Sequence, residues 1–133
     1  MYNFVTILVI KIGGADLSIK VIYKNKTADK QFSSTYRKSW KYPQRVKEKL
    51  LAVESFFESA ESLQDVANFT VFHFEHLLGK RKTEWSIRLG TTGYRVTFSP
   101  CDDFENEITG GDILAQCKTI KIVKVTEVSN HYE

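Results

Sequence analysis

The sequence predicts a single α+β domain in which one strand and two helices precede a four-to-five-stranded, mainly antiparallel sheet. The chain has 133 residues, which is enough for one hydrophobic core. Hydrophobic residues make up 42% of it and only two residues are proline, a composition typical of a folded domain. Helical periodicity lies in the first half of the chain, and extended segments fill the second half.

The first predicted element is a strand over residues 17–23, whose alternate residues are apolar as in a strand with one buried face. Residues 1–16 are expected to form an N-terminal extension or an extra edge strand, so that one domain comprises residues 1–133. The apolar part of this extension is far shorter than the ~20 residues that cross a bilayer. No membrane contact is therefore predicted.

Two helices are expected to follow as a helical hairpin. Thr27 is the predicted N-cap of the first, in which Phe32, Tyr36 and Trp40 recur every four residues. Pro43 suits the first turn of the second helix. The apolar stripe of that helix has spacings of three and four residues and consists of Val46, Leu50, Val53, Phe57 and Ala60.

Four strands are predicted in the second half of the chain, over residues 69–78, 84–89, 94–98 and 119–128. A turn at residues 90–93 joins the middle two into a hairpin. The resulting order is β-α-α-β-β-β-β. Because sequential strands usually pair, we expect an antiparallel sheet that helices cover on one side and that is open on the other. Residues 99–117 are predicted to be a long loop.

The predicted hairpin brings two arginines together on the open side of the sheet. If the turn closes symmetrically, Arg88 lies directly opposite Arg95, while the alternate residues of both strands face the core. Like charges in this position destabilise a sheet unless an anion lies between them. We therefore predict a phosphate site at the pair. The structural alternative is that an acidic neighbour, Glu84 or Glu127, neutralises one of the arginines.

The net charge of +3 conceals an uneven distribution of charge. Residues 20–49 include ten lysines and arginines but only two acidic residues, whereas residues 54–65 and 102–112 carry acidic residues without any lysine or arginine. A basic face attracts phosphate backbones through counterion release and steering. Two interpretations stay open, a nucleic-acid-binding surface and a solvated helix surface. The turn Lys80-Arg81-Lys82 adds three consecutive cations.

Neither the histidines nor the cysteines have the spacing of metal ligands. His73 and His76 have opposite parity, so in a strand they would face opposite sides, and neither has a cysteine or third histidine at suitable spacing. No metal is predicted. Cys101 and Cys117 are expected to be a reduced pair, because no secretory signal is recognised.

Two segments of the second half of the chain contain a series of motifs. Residues 73–88 read HFEHLLGKRKTEWSIR and residues 93–98 read GYRVTF. They resemble the leucine-lysine-glycine step, basic turn, Trp-Ser-Ile strand and aromatic-Arg-hydrophobic strand of the HigB branch of the RelE/ParE superfamily of bacterial toxins. The chain's end, EVSNHYE, is similar to a closing strand that commonly finishes in Tyr-His or His-Tyr. The resemblance covers about residues 17–133.

The resemblance implies a toxin of a type II toxin-antitoxin system, a cytoplasmic endoribonuclease that cuts messenger RNA on the ribosome. The cut is an attack by the ribose 2′-hydroxyl on its own 3′ phosphate and uses no cofactor. The implied partner is a helix-turn-helix antitoxin of the HigA kind, with which the toxin could form a hetero-oligomer. Either the apolar N-terminal extension or the basic first helix would supply part of that contact.

The resemblance also implies roles for individual residues. His131 would act as acid or base, Tyr132 would orient the base or the nucleotide, and either ring could face the substrate because several relatives have the reverse order. At the family's lysine this chain has Leu78, so that cation is lost or moved to Lys80. The remaining implied contacts are Arg88 and Arg95 to the phosphate, and Lys80, Arg81, Lys82, His73 and His76 to the RNA.

Two other classes of function compete with this hypothesis. A ParE-like inhibitor of DNA gyrase would share the fold and the basic surface without needing a catalytic base. A general RNA-binding module would present exposed aromatic rings on a sheet face. The Trp-Ser-Ile strand and His131 favour the ribonuclease over the gyrase inhibitor, and the assignment of Trp85, Tyr94 and Phe98 to the core disfavours the binding module.

Overall fold

The computed structural model describes residues 18–130, and over these it is an α+β domain with one five-stranded mixed sheet. The strand order is β1-β5-β4-β3-β2; β1 is parallel to β5 and every other neighbouring pair is antiparallel. The predicted class and the mainly antiparallel sheet are confirmed. The strands are β1 (Lys20–Tyr23), β2 (Glu75–His76), β3 (Trp85–Arg88), β4 (Tyr94–Cys101) and β5 (Ile122–Asn130).

The α-helices between residues 18 and 130 are α1 (Lys26–Phe32), α2 (Gln44–Ser59), α3 (Leu63–Asn68) and α4 (Ile113–Gln116). The predictions for residues 1–16, Leu17, His131 and Tyr132 concern positions outside the described residues. Of the predicted first strand, the part over Lys20–Tyr23 is confirmed, with Val21 and Tyr23 packed against the core.

The prediction of one first helix through Trp40 is wrong in two ways. Asn25, not Thr27, caps α1, because its Oδ1 accepts a hydrogen bond of 2.9 Å from the Ala28 amide. The helix ends at Phe32, and a 3₁₀-helix covers Ser34–Ser39. The Ser33 hydroxyl accepts from the Thr35 amide at 3.2 Å and so competes with continuation of the helix. Both ends of the predicted stripe are still buried, but its middle residue, Tyr36, is only half-buried.

The second helix is confirmed as α2, and all five residues of its predicted stripe are buried. Pro43 precedes the first turn as the N-cap, and its carbonyl oxygen accepts from the Val46 amide at 3.0 Å. Phe57 lies at the centre of the core. Its ring is 6.0 Å from that of Phe32 in α1 and 6.1 Å from that of Phe98 in β4. These contacts join both helices to the sheet.

Of the predicted strand over residues 69–78, only Glu75–His76 is a strand, β2, and the rest of the prediction is wrong. Before it the chain forms α3 and then a 3₁₀ turn at Thr70–Phe72. Ser62 starts α3, since its hydroxyl accepts from the Gln64 amide at 3.2 Å. Phe69 and Phe72 then pack on Phe56 of α2, with ring centroids 5.3 and 4.9 Å away. This aromatic cluster turns the segment toward the helices and away from the sheet.

The hairpin of β3 and β4 has the predicted register. Trp85 pairs with Phe98, Ile87 with Val96 and Arg88 with Arg95. The Leu89 amide donates to the Tyr94 carbonyl at 2.9 Å, which continues the same alignment to the turn. Beyond the hairpin, β4 extends to Cys101 and α4 forms within the predicted loop, so the prediction of a loop over all of residues 99–117 is wrong.

The sheet face opposite the helices, here called the open face, is covered over part of its area. Ser86, Thr97 and Ser99 point to this face and are buried. Near them Arg81 binds Glu84 with its Nε 2.9 Å from Oε2, and binds Glu127 with its Nη2 2.7 Å from Oε1. Thr126 Oγ1 donates to Glu84 Oε1 at 2.6 Å. The prediction of an open face is thus correct only in part, and Arg88 is one of the exposed residues on it.

This ion-pair network makes a prediction about stability and pH. Hydrogen bonds from Arg81, against a smaller opposing effect of burial, lower the pKa of Glu84. A carboxylate with a lowered folded pKa stabilises the fold above its unfolded pKa, about 4.3, and loses that effect as pH falls through the folded pKa. Glu84→Gln should therefore lower the free energy of unfolding at pH 7 by about 1–2 kcal/mol, as measured by urea denaturation.

The same measurement at acid pH tests the cause. The difference between Glu84→Gln and the unsubstituted protein should shrink as pH falls below about 4. Glu58→Gln, an exposed substitution in α2, is the matched control and should change the unfolding free energy little at either pH. If Glu84→Gln lowered the free energy of unfolding equally at all pH values, the charge of Glu84 would not be the source of its stabilising effect.

Candidate active site

A pocket of about 200 Å³ lies on the open face, beside the hairpin turn. Side chains from β2, β3 and β4 converge there because their alternate residues share this face. Its charged and hydrogen-bonding groups come from three neighbouring strands and the segment before β2. The lining residues are His73, Glu75, Ser86, Arg88, Gly90, Thr91, Gly93, Tyr94 and Arg95.

The two arginines predicted to bind phosphate both line this pocket and are direct register partners. Arg88 is exposed, whereas Arg95 is half-buried and its buried Nε has no hydrogen-bond partner among the described residues. A buried donor without a partner is costly. The arrangement suits an anion that accepts from both guanidinium groups, because charge-assisted bonds to phosphate are strong and directional.

In the described residues, neither Glu84 nor Glu127 neutralises one of these arginines, so the structural alternative is not observed. Both carboxylates bind Arg81 instead. Neither Arg88 nor Arg95 forms an ion pair with any described residue. The positive charge of the pair is therefore available to a ligand.

Glu75 and His73 give the pocket a carboxylate and an imidazole. Glu75 pairs with Ser86 in the β2–β3 ladder, so it shares the face of the two arginines. His73 has φ of 47°, a left-handed conformation that costs a residue other than glycine about 1–2 kcal/mol. Strain of this kind often accompanies functional sites. Glu75 was not predicted from the sequence, although the parity argument applied to the two histidines also groups it with His73.

His76 does not enter the pocket. It pairs with Trp85 in the ladder, and its ring stacks on the Trp85 ring with centroids 4.6 Å apart and planes 11° apart. His73 lines the pocket and His76 does not, but strand parity is not the cause, because His73 lies before β2 as the left-handed C-cap of the 3₁₀ turn. Among the described residues, no group of three His, Cys, Asp or Glu side chains could hold a metal ion.

The three cations of the predicted basic turn have different surroundings. Lys80 and Lys82 are exposed, and neither forms an ion pair with a described residue. Arg81 is held by Glu84 and Glu127, and hydrogen bonding to Glu84 is the main reason that its pKa is raised. Its charge is balanced within the fold, which leaves Lys80 and Lys82 as the cations of this turn for an RNA backbone.

Both cysteines are buried and unbridged, as the sequence analysis expected. Burial raises the pKa of Cys101 to about 11 and also raises that of Cys117. Thiols with such pKa values are protonated at neutral pH and are poor nucleophiles. The candidate chemistry therefore belongs to the pocket on the open face.

The two residues expected at the chain's end as acid and base, His131 and Tyr132, lie outside the described residues. The last described residue, Asn130, is the register partner of Tyr94, which lines the pocket. The end of β5 is therefore next to the site.

No known protein-family model matches this chain, and no curated protein is significantly similar to it. None of the helices found between residues 18 and 130 has the length and apolar character that a membrane crossing requires.

Proposed function

We propose that this protein is a toxin of the RelE/HigB type, an endoribonuclease that cuts messenger RNA on the ribosome and that a partner antitoxin neutralises. The observation that carries the proposal is the opposed pair Arg88 and Arg95. Two like charges face each other, one of them has a buried donor without a partner in the described part of the chain, and neither forms an ion pair with a described carboxylate. A phosphodiester between them would satisfy both.

The proposed reaction forms a bond between the ribose 2′-oxygen and the adjacent phosphorus and breaks the bond from phosphorus to the 5′-oxygen. The proton of the 2′-hydroxyl passes to a base, and an acid returns a proton to the leaving 5′-oxygen. The products are a 2′,3′-cyclic phosphate and a 5′-hydroxyl. Arg88 and Arg95 would stabilise the dianionic phosphorane, since fixed cations act most strongly where charge develops.

The acid and base in this proposal come from two parts of the chain. Glu75 stands in the pocket with the arginines and would accept the proton of the 2′-hydroxyl. His131 would protonate the leaving oxygen, with Tyr132 beside it to orient the nucleotide. His73, at the pocket wall, would hydrogen-bond the substrate. The roles of His131 and Tyr132 come from the resemblance, and the role of Glu75 is added because this carboxylate lines the pocket.

The proposal also includes the cellular location of the reaction and the partners of the protein. The protein would work in the cytoplasm, where Lys80 and Lys82 would hold the RNA backbone while the message lies in the ribosome. The helix-turn-helix antitoxin would cover the cationic pocket or prevent entry into the ribosome, in a hetero-oligomer with the toxin.

Primer extension on a reporter message in a purified translation system tests the proposal. We expect cuts that require both this protein and ribosomes, and we expect His131→Ala to lose about 100-fold or more of the cleavage rate, the usual contribution of a general acid. Lys118→Ala, an exposed substitution away from the pocket lining, is the control and should cleave normally.

The possible results separate the hypotheses. Cuts retained by folded His131→Ala would move the proton transfers to Glu75 and His73 and leave the class unchanged. An absence of cuts with folded protein would contradict the ribonuclease. If trapped gyrase–DNA complexes then accumulated, the ParE-like inhibitor would replace it.

A further inference from the structure

A column of nearly parallel rings runs from the core to the edge of the sheet. The ring of Phe98, which is fully buried, lies 6.1 Å from that of Phe74 with planes 18° apart. Phe74 is 4.5 Å from Trp85 with planes 16° apart, and Trp85 is 4.6 Å from His76 with planes 11° apart. Every neighbouring pair in this column is stacked.

His76 is the exposed end of the column. His76 is exposed, and Trp85, which is 7% exposed, covers one face of its imidazole. Among the described residues, no second aromatic ring stacks on the other face. The Nε2 atom contacts the Lys82 carbonyl oxygen. Because a carbonyl oxygen can only accept, Nε2 carries a proton and donates it. The hydrogen bond and the stack together fix the plane of the ring.

The position of His76 relates it to the pocket. It belongs to β2, the outermost strand on that side of the sheet, and the residue before it, Glu75, lines the pocket on the opposite face. A single strand of nucleic acid that crosses this edge could therefore contact both faces. Lys82 contributes the carbonyl that holds the imidazole, and Lys80 is two residues before it in the same turn.

We propose that the exposed face of His76 is a stacking platform for a nucleobase of single-stranded RNA. A nucleotide further along the same strand of RNA would then place its phosphate between Arg88 and Arg95. That second placement rests on the proposed function, whereas the stacking itself does not. Aromatic rings that stack on bases provide about 1–3 kcal/mol per base without reading its sequence. A ring already fixed in its bound orientation loses little entropy when the base arrives.

The surrounding charge favours RNA over an aromatic side chain of a protein partner. Lys80 and Lys82 flank the platform, and Arg88 and Arg95 lie across the edge strand. Cations without ion-pair partners between residues 18 and 130 attract a phosphate backbone. An aromatic residue of a protein would gain only the weaker cation–π attraction from them, about 0.5–1 kcal/mol at exposed sites.

Fluorescence anisotropy with two labelled oligonucleotides tests the platform. Both carry 2′-O-methyl groups, which prevent attack by a 2′-oxygen, and one of them lacks its bases. We expect the unsubstituted protein to bind the base-bearing strand about 10-fold more tightly than the abasic strand. His76→Ala should bind both strands equally, and His76→Phe, which restores a stacking ring, should recover most of the preference.

Phe104→Ala is the matched control, because Phe104 is an aromatic residue that is 85% exposed and lies in the loop after β4. It should keep the full preference. The proposal is overturned if the unsubstituted protein binds both strands equally, if His76→Ala keeps the preference, or if Phe104→Ala loses it to the same extent. Binding of bases without any cleavage of messages would overturn the proposed function and leave the platform intact.

Discussion

Arg95→Ala should reduce ribosome-dependent cleavage by about 10²–10³-fold, the usual loss when one group that stabilises a developing oxyanion is removed. Its free energy of unfolding should stay within about 1 kcal/mol of that of the unsubstituted protein. The substitution removes a buried donor that lacks a partner among the described residues and ends the opposition of like charges across the hairpin. Arg95→Ala would thus reduce the cleavage rate strongly while changing the free energy of unfolding little.

Two further variants sharpen this experiment. Arg95→Lys keeps the charge but loses the planar, two-pronged geometry of the guanidinium, so its cleavage rate should lie between those of Arg95→Ala and the unsubstituted protein. Arg37→Ala removes an exposed arginine of the 3₁₀-helix that is distant from the pocket lining, and it should cleave normally. Near-normal cleavage by folded Arg95→Ala would remove Arg95 from the site.

Phe57→Ala should have the largest effect on stability and lower the free energy of unfolding by about 3–5 kcal/mol. Phe57 is fully buried, and its ring packs between those of Phe32 and Phe98, so truncation leaves a cavity where the helices meet the sheet. The loss is a large fraction of the roughly 5–15 kcal/mol that stabilises a typical domain. Urea denaturation followed by circular dichroism measures it.

Leu51→Ala is the control for this measurement. Leu51 belongs to the same helix but is 38% exposed, so its truncation creates no closed cavity and should cost about 1 kcal/mol or less. A loss below about 1 kcal/mol for Phe57→Ala would contradict the view that this ring joins the helices to the sheet.

The parts of the fold that were predicted correctly depend on regular local patterns. The stripe of α2 repeats for four turns, and the turn at residues 90–93 sets the hairpin register, so neither requires knowledge of distant residues. The start and end of α1 were missed because periodicity does not identify the local caps at Asn25 and Ser33, and other parts were missed because they depend on contacts distant in sequence. Glu54 of α2 accepts from the Ser34 amide at 3.1 Å just after α1 ends, and Phe56 holds Phe69 away from the sheet. Periodicity contains no information about such contacts.

The site was predictable to a similar extent. The opposition of Arg88 and Arg95 follows from the hairpin register alone. The ion pair that balances the charge of Arg81 could not be predicted in this way. Its partner Glu127 is in β5, which is distant from the basic turn in the sequence. The selection of Glu75 required the true length of β2, since the incorrect longer strand offered several residues of the same parity.

The strand order also determines when the sheet can be completed during synthesis of the chain. The strand β5 is made after every other described element, yet it lies between β1 and β4. A nascent chain must therefore hold β1 without its neighbour until β5 has left the ribosomal tunnel, and such long-range pairing makes folding slow. The carboxylate partner Glu127 arrives with the same strand. The complete network of Arg81, Glu84 and Glu127 can therefore form only after β5 has joined the sheet.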